Sequence, residues 1–279
     1  MSSTEARLAV DRPGIADYQF IRVLGTGNHG VFYLANRPER LRIDADLVAV
    51  KVLTGSNSQD TFRRATRELA AFAAVRSPYL VTLYDAGQQG DDLYYSMEYL
   101  PAGSLADAAE SVRPKQALSA VADAARAADA LHDAGIAHND IKPGNIMLHD
   151  SGAKLSDLGL SQLLTPGLTI TGLGSAGSVE YLDPAIIRGE MPSRATDIFA
   201  LGATLHRVLA GVGLYGDLPS DNTMVAMRRV LGHPPVVSEN LPGDVRDVIA
   251  SAIDPNPAAR PNTAGELADR IDAIAASAS

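Results

Sequence analysis

The chain has 279 residues, is 46% hydrophobic and 20% charged, carries a formal net charge of −9 and contains no cysteine. This composition excludes a disulfide framework, a thiolate nucleophile, Cys-ligated zinc and a disordered chain, and it argues against a nucleic-acid binder, which is ordinarily basic. No apolar run reaches the ~18 residues of a membrane span, and the opening MSSTEARLAVDRPG lacks the apolar core of a signal peptide, so a cytoplasmic protein is expected.

Residues 1–17 read as a polar, loosely ordered lead-in. YQFIRVLGTGNHGVFYLANR alternates apolar and polar positions, which predicts two strands around Gly25, Gly27 and Gly30. DLVAVKVLT predicts a third strand, with Ala49 and Lys51 on one face and Val48, Val50 and Val52 on the other. SQDTFRRATRELAAFAAVR has helical spacing at Phe62, Ala65, Leu69 and Phe72 and stops before Ser77-Pro78. YLVTLYDAGQQGDDLYYSMEYL reads as two more strands. Beyond PAGSL the character turns helical. PKQALSAVADAARAADALHDAG is a long Ala-rich helix closed by Gly135, and further helices are predicted in SRATDIFALGATLHRVLAG, DNTMVAMRRVLG, GDVRDVIASAI and NTAGELADRIDAIAA. A β-rich first part and an α-rich remainder predict two lobes, with a change near residues 98–103.

The glycine spacing G-x-G-x-x-G lets a backbone approach phosphates. In a dinucleotide-binding unit the third glycine would open a helix, and Asp44 or Asp46 would be the later acidic residue. Here VFYLA follows Gly30 and reads as a strand, so the loop is a hairpin tip able to lie over a nucleotide.

Further motifs follow in order. VAVK ends in Lys51, and Glu68 lies within the first helix. HNDIKPGN holds Asp140, Lys142 and Asn145, SDLG holds Asp157, and GSVEYLDPA holds Ser178. ATDIFALG holds Asp197 and NPAARP holds Arg260. Only four of the 24 basic residues are lysines, Lys51, Lys115, Lys142 and Lys154, and two of the four fall in these motifs.

With these motifs the chain resembles the bacterial eukaryotic-like (Hanks-type) serine/threonine protein kinases over roughly residues 18–275. The resemblance implies an α+β, bilobal protein-kinase-like fold. Its small, mainly β N-lobe would span residues 18–100, its larger, mainly α C-lobe 101–275, and a tail 276–279. It implies a non-specific serine/threonine protein kinase that uses ATP with Mg²⁺, or Mn²⁺, on protein substrates, with no nucleic-acid partner. It further implies Lys51 on the phosphates with Glu68 as its ion pair, Asp140 as base and Lys142 at the γ-phosphate. Asn145 and Asp157 would be metal ligands and Ser178 the substrate platform, with Asp197 and Arg260 as structural supports. Leu24, Gly25, Gly27, Gly30, Val31, Ala49, Lys51, Met97, Glu98 and Leu100 would line the ATP site.

The chain departs from the family pattern at four places. Asn139 replaces the arginine that senses a phosphorylated activation loop. Ala185 replaces a glutamate that pairs with the arginine at Arg260, and Asp183 is the candidate substitute. Leu158 stands for a phenylalanine, and Asn28-His29 form an unusual loop tip. His132, His206 and His233 read as packing or surface residues. The rival readings are a pseudokinase that binds ATP as a scaffold or regulator, and a small-molecule phosphotransferase on a related fold.

Overall fold

β-branched and aromatic residues on either side of the glycines form two antiparallel neighbours, β1 (Gln19–Gly27) and β2 (Gly30–Asn36). The structure is a computed structural model and describes residues 15–27, 30–53, 59–90, 92–157, 176–219 and 221–277. Strand β3 (Leu47–Leu53) pairs with β2, and β4 (Leu83–Gln89) and β5 (Asp92–Glu98) complete a five-stranded antiparallel sheet in the order β1-β2-β3-β5-β4. Helix α1 (Gln59–Ala74) buries Ala65, Leu69 and Phe72, which are spaced to share one helical face.

One face of the sheet is an apolar core of Tyr33, Ala35, Val48, Val50, Val52 and Tyr94. Ile15 and Tyr18 are buried in it, so the lead-in predicted to run to residue 17 is already packed at Ile15. The Tyr18 hydroxyl lies 2.7 Å from Ser96 Oγ and 3.0 Å from Asp85 Oδ2, which anchors this entry to the far strands. Gly30 is required by packing. A Cβ there would lie 2.1 Å from the Val52 carbonyl oxygen, whereas one at Gly25 would meet nothing within 4 Å.

The chain divides into two compact units at Tyr99 and Leu100, with Ala74–Leu80 belonging to the second unit. In the second unit α2 (Pro114–Asp133) is buried nearly all round by alanines, and Leu131 is fully buried, contributing about 1.5–3 kcal/mol. Arg126 on α2 ties it to α7 (Ala264–Ser277) through Asp272 Oδ2 at 2.7 Å. Gly135, at φ 76°, turns the chain left-handed after α2. A two-stranded hairpin, β6 (Ile146–His149) with β7 (Gly152–Leu155), follows a 3₁₀ turn at Pro143–Asn145. The remaining helices are α3 (Pro184–Ile187), α4 (Arg194–Ala210), α5 (Thr223–Gly232) and α6 (Gly243–Ala252). Helix α4 starts with a Ser193–Thr196 capping box. Among the described residues no helix is long and apolar enough to cross a membrane.

Candidate active site

The β6–β7 hairpin brings two motifs together. Ile146 pairs with Leu155, so Asn145 and Ser156 leave the same end of the hairpin. Ser156 N donates to the Asn145 carbonyl at 2.8 Å. Asp157 therefore follows directly beside Asn145 although twelve positions separate them in sequence. Asp157 has φ 62° and Asn139 has φ 66°, both in the left-handed region that non-glycine residues enter only when the surroundings enforce it.

Asp197, in the first turn of α4, provides that enforcement for Asn139. Its Oδ2 accepts His138 N at 2.7 Å and its Oδ1 accepts Asn139 N at 2.9 Å. His132 Nε2 donates to the same Oδ2 at 2.8 Å. Asp197 is 1% exposed, and three donors offset the cost of burying its charge. His132, read from sequence as a packing or surface residue, is a polar partner of Asp197. No local signal reveals this, because the two residues lie on different helices.

His138 is fully buried, and burial lowers its imidazole below the ordinary value. Its Nδ1 accepts Asp140 N at 3.3 Å and its Nε2 donates to the Ser156 carbonyl at 3.1 Å, the bonding of a neutral ring. The ring thus links the backbone before Asp140 to the backbone before Asp157.

The Asp140 carboxylate collects the other polar groups. Lys142 Nζ donates to Oδ1 at 2.8 Å and Oδ2 at 2.9 Å, and also to Ser178 Oγ at 3.1 Å. Asn145 Nδ2 donates to Asp140 Oδ2 at 2.9 Å and to the Asp140 carbonyl at 2.7 Å. Asn145 Oδ1 and the Asp157 carboxylate, carried by residues at neighbouring ends of the two hairpin strands, are hard oxygens. Such oxygens suit Mg²⁺ or a similar hard cation.

The Ser178 segment is a 3₁₀ turn (Ala176–Tyr181) running into α3. Asp183 Oδ1 accepts Ala185 N at 2.9 Å and caps α3, while its Oδ2 accepts Arg260 Nη1 at 2.5 Å. Arg260 also donates to the carbonyls of Asp254 and Ala195, each at 2.8 Å, and its guanidinium lies 5.3 Å from the Phe199 ring centroid. Asp183 therefore supplies the counter-charge that Ala185 cannot. Asn28, His29, Leu158, Gly159, Thr165, Thr169, Thr171 and Ser175 lie outside the described residues.

In the sheet unit the register decides which side chains share a face. Phe32 pairs with Lys51 and Lys51 with Tyr95, while Leu34 pairs with Ala49 and Ala49 with Met97. Directly opposed residues point to the same face. Lys51, Ala49 and Met97 thus lie together; the alternation in VAVK predicts the shared face of Ala49 and Lys51, and the register adds Met97. Val31 pairs with Val52 and packs on the apolar core, so its assignment to the ATP site is corrected: Phe32 occupies that face. A one-residue offset reverses the face because the strand period is two. Leu24 falls at an irregularity of the β1–β2 ladder between Val23 and Gly25, and Gly27 pairs with Gly30.

The Glu98 amide donates to the Thr82 carbonyl at 2.9 Å, and the Leu100 carbonyl accepts Gly103 N at 3.2 Å. The implied Lys51–Glu68 ion pair is not formed. Among the described residues Glu68 makes no ion pair, and burial alone raises its carboxyl. Lys51 Nζ lies 4.5 Å from the Phe32 ring centroid, at cation–π distance.

Residues 18–270 match the family model described as the protein kinase domain. The serine/threonine-protein kinase PknJ of Mycobacterium tuberculosis is 33% identical over 273 residues, covering 91% of this chain and 44% of that protein. The serine/threonine-protein kinase PknB of Mycobacterium leprae is 32% identical over 275 residues, covering 94% of this chain and 43% of that protein. The chain thus spans less than half the length of these curated relatives. The crystal structure of the Mycobacterium tuberculosis PknI kinase domain superposes with a TM-score of 0.70 at 24% identity, covering 94% of this chain and 97% of that one, which shows a shared fold.

Proposed function

The chain belongs to the protein kinase family, in its bacterial Hanks-type serine/threonine branch, and on that premise we propose that it is an active kinase transferring the γ-phosphoryl group of ATP to Ser or Thr hydroxyls of proteins. The observation that carries the reading is the set of donors on Asp140. Lys142 bonds both carboxylate oxygens and reaches Ser178 Oγ, and Asn145 fixes the same carboxylate.

In the proposed step a substrate hydroxyl oxygen bonds to the γ-phosphorus as the bond to the ADP oxygen breaks. The hydroxyl proton passes to Asp140. Lys142 offsets charge on the phosphoryl group as it moves, and Lys51 supplies a second cation to the nucleotide phosphates. Asn145 and Asp157 would hold Mg²⁺ or Mn²⁺, which when bound supplies charge neutralisation at the phosphates. Holding the acceptor oxygen in line with the bond that breaks is the larger share of the work of such a site.

The pseudokinase reading draws on one observation, the unformed Lys51–Glu68 pair. Against it stand Asp140, Lys142, Asn145 and Asp157, all present in one loop and hairpin. The test is autophosphorylation with Mg-ATP in wild type, Asp140→Asn and Lys51→Met. Label in the wild type alone supports the enzyme reading; equal label in all three, or none in any, ends it.

A further inference from the structure

The register of the sheet sets Lys51 between two aromatic residues, Phe32 on β2 and Tyr95 on β5. Cross-strand partners stand about 5 Å apart at Cβ, so both rings can reach a lysine ammonium that extends over the same face. Lys51 Nζ lies 4.5 Å from the Phe32 centroid and 5.9 Å from the Tyr95 centroid. Both distances fall within the ~6 Å reach of cation–π attraction. Tyr95 is buried and Lys51 half-buried, so water competes weakly for the ammonium. Neither aromatic residue stands out in the sequence, because each is also a good strand former.

We propose that Phe32 and Tyr95 form an aromatic clamp that positions the Lys51 ammonium for the nucleotide phosphates. The proposal rests on the kinase reading above. The two rings are positioning residues that act through Lys51. The two rings stand on the strands that flank β3, on either side of the ammonium.

The test is nucleotide binding to the full chain by calorimetry, with Mg-ATP and adenosine as separate probes. Phe32→Leu keeps the apolar bulk and removes the π face. It is expected to raise the Kd for Mg-ATP roughly tenfold. It should raise the Kd for adenosine much less than that for Mg-ATP, since adenosine has no phosphate for Lys51 to hold. Phe32→Tyr restores the π face and should restore Mg-ATP binding. In a Lys51→Met background Phe32→Leu should change nothing further, because the coupling has lost its partner. Tyr95→Leu, at the other jaw, should behave like Phe32→Leu but more weakly, and melting curves on each variant verify that it is folded.

Equal losses for Mg-ATP and adenosine would assign Phe32 to the base and overturn the clamp. So would an undiminished effect of Phe32→Leu in the Lys51→Met background. A wild type that shows the binding pattern but incorporates no label keeps the clamp and defeats the enzyme reading, so the two failures are distinguishable. A wild type that binds neither probe overturns both.

Discussion

Arg260 and Asp183 form a buried ion pair 77 positions apart, with Nη1 donating to Oδ2 and both residues less than 5% exposed. The pair joins the start of α3, which Asp183 also caps, to the loop before α7. Burying one charge alone would be costly, and the pair survives because Arg260 is also bonded to two carbonyls. Asp183→Ala is expected to destabilise the helical unit by ~3 kcal/mol. That corresponds to a fall in Tm of roughly 9 °C for a domain of this size. Asp183→Asn should fall between this variant and the wild type. Thermal melts of the three proteins settle the matter; a Tm unmoved by Asp183→Ala would show that the pair contributes nothing.

Ser178 is the third contact of Lys142 and lies beyond its Asp140 partner. Hydrogen bonds to a charged group are worth about 1.5–3 kcal/mol. Ser178→Ala is expected to lower kcat roughly tenfold, at the low end of that range, with the KM for ATP little changed. Ser178→Thr keeps the hydroxyl and should keep the rate. Steady-state kinetics separate the two, and equal rates for Ala and Thr would remove Ser178 from the site.

Two imidazoles couple stability to pH. Burial lowers both His138 and His206 below 6.5, so each resists protonation when folded and accepts it when unfolded. Their contribution is complete above pH 6.5 and is lost as pH falls below that value toward the depressed folded values. Tm is therefore expected to drop between pH 7 and pH 5. His206→Gln should flatten part of that slope. A slope unchanged by the substitution would mean that other groups carry it.

Gly30 sits where a Cβ would lie 2.1 Å from the Val52 carbonyl. Gly30→Ala is expected to push β2 from β3 and cost ~1–3 kcal/mol. Gly25→Ala, where space is open, should cost less. Chemical denaturation of both variants ranks them, and the reverse order would contradict the packing.

Asn139 carries no positive charge to receive a phosphate, and its buried Oδ1 has no donor among the described residues. Replacing Thr165, Thr169, Thr171 and Ser175 together with Ala is expected to leave most of the activity. Near-complete loss in a kinase assay would show that phosphorylation of this segment is required.

Read alone, the residues gave the motif positions and their chemistry. Asp140, Lys142 and Asn145 crowd into six positions, where spacing dictates proximity. The strand alternation of VAVK predicted that Ala49 shares a face with Lys51, and Pro, Gly and Ser marked where α2 and α4 begin or end. Tertiary structure alone decided the rest. The Val31 assignment missed by one position because register comes from strand pairing, which the sequence does not display. The β6–β7 hairpin escaped notice because four-residue strands are too short to show a period. Asp183 with Arg260, His132 with Asp197, and Phe32 with Lys51 and Tyr95 each join residues on separate elements. Those contacts depend on distances that arise only when helices and strands pack, and no local pattern records them.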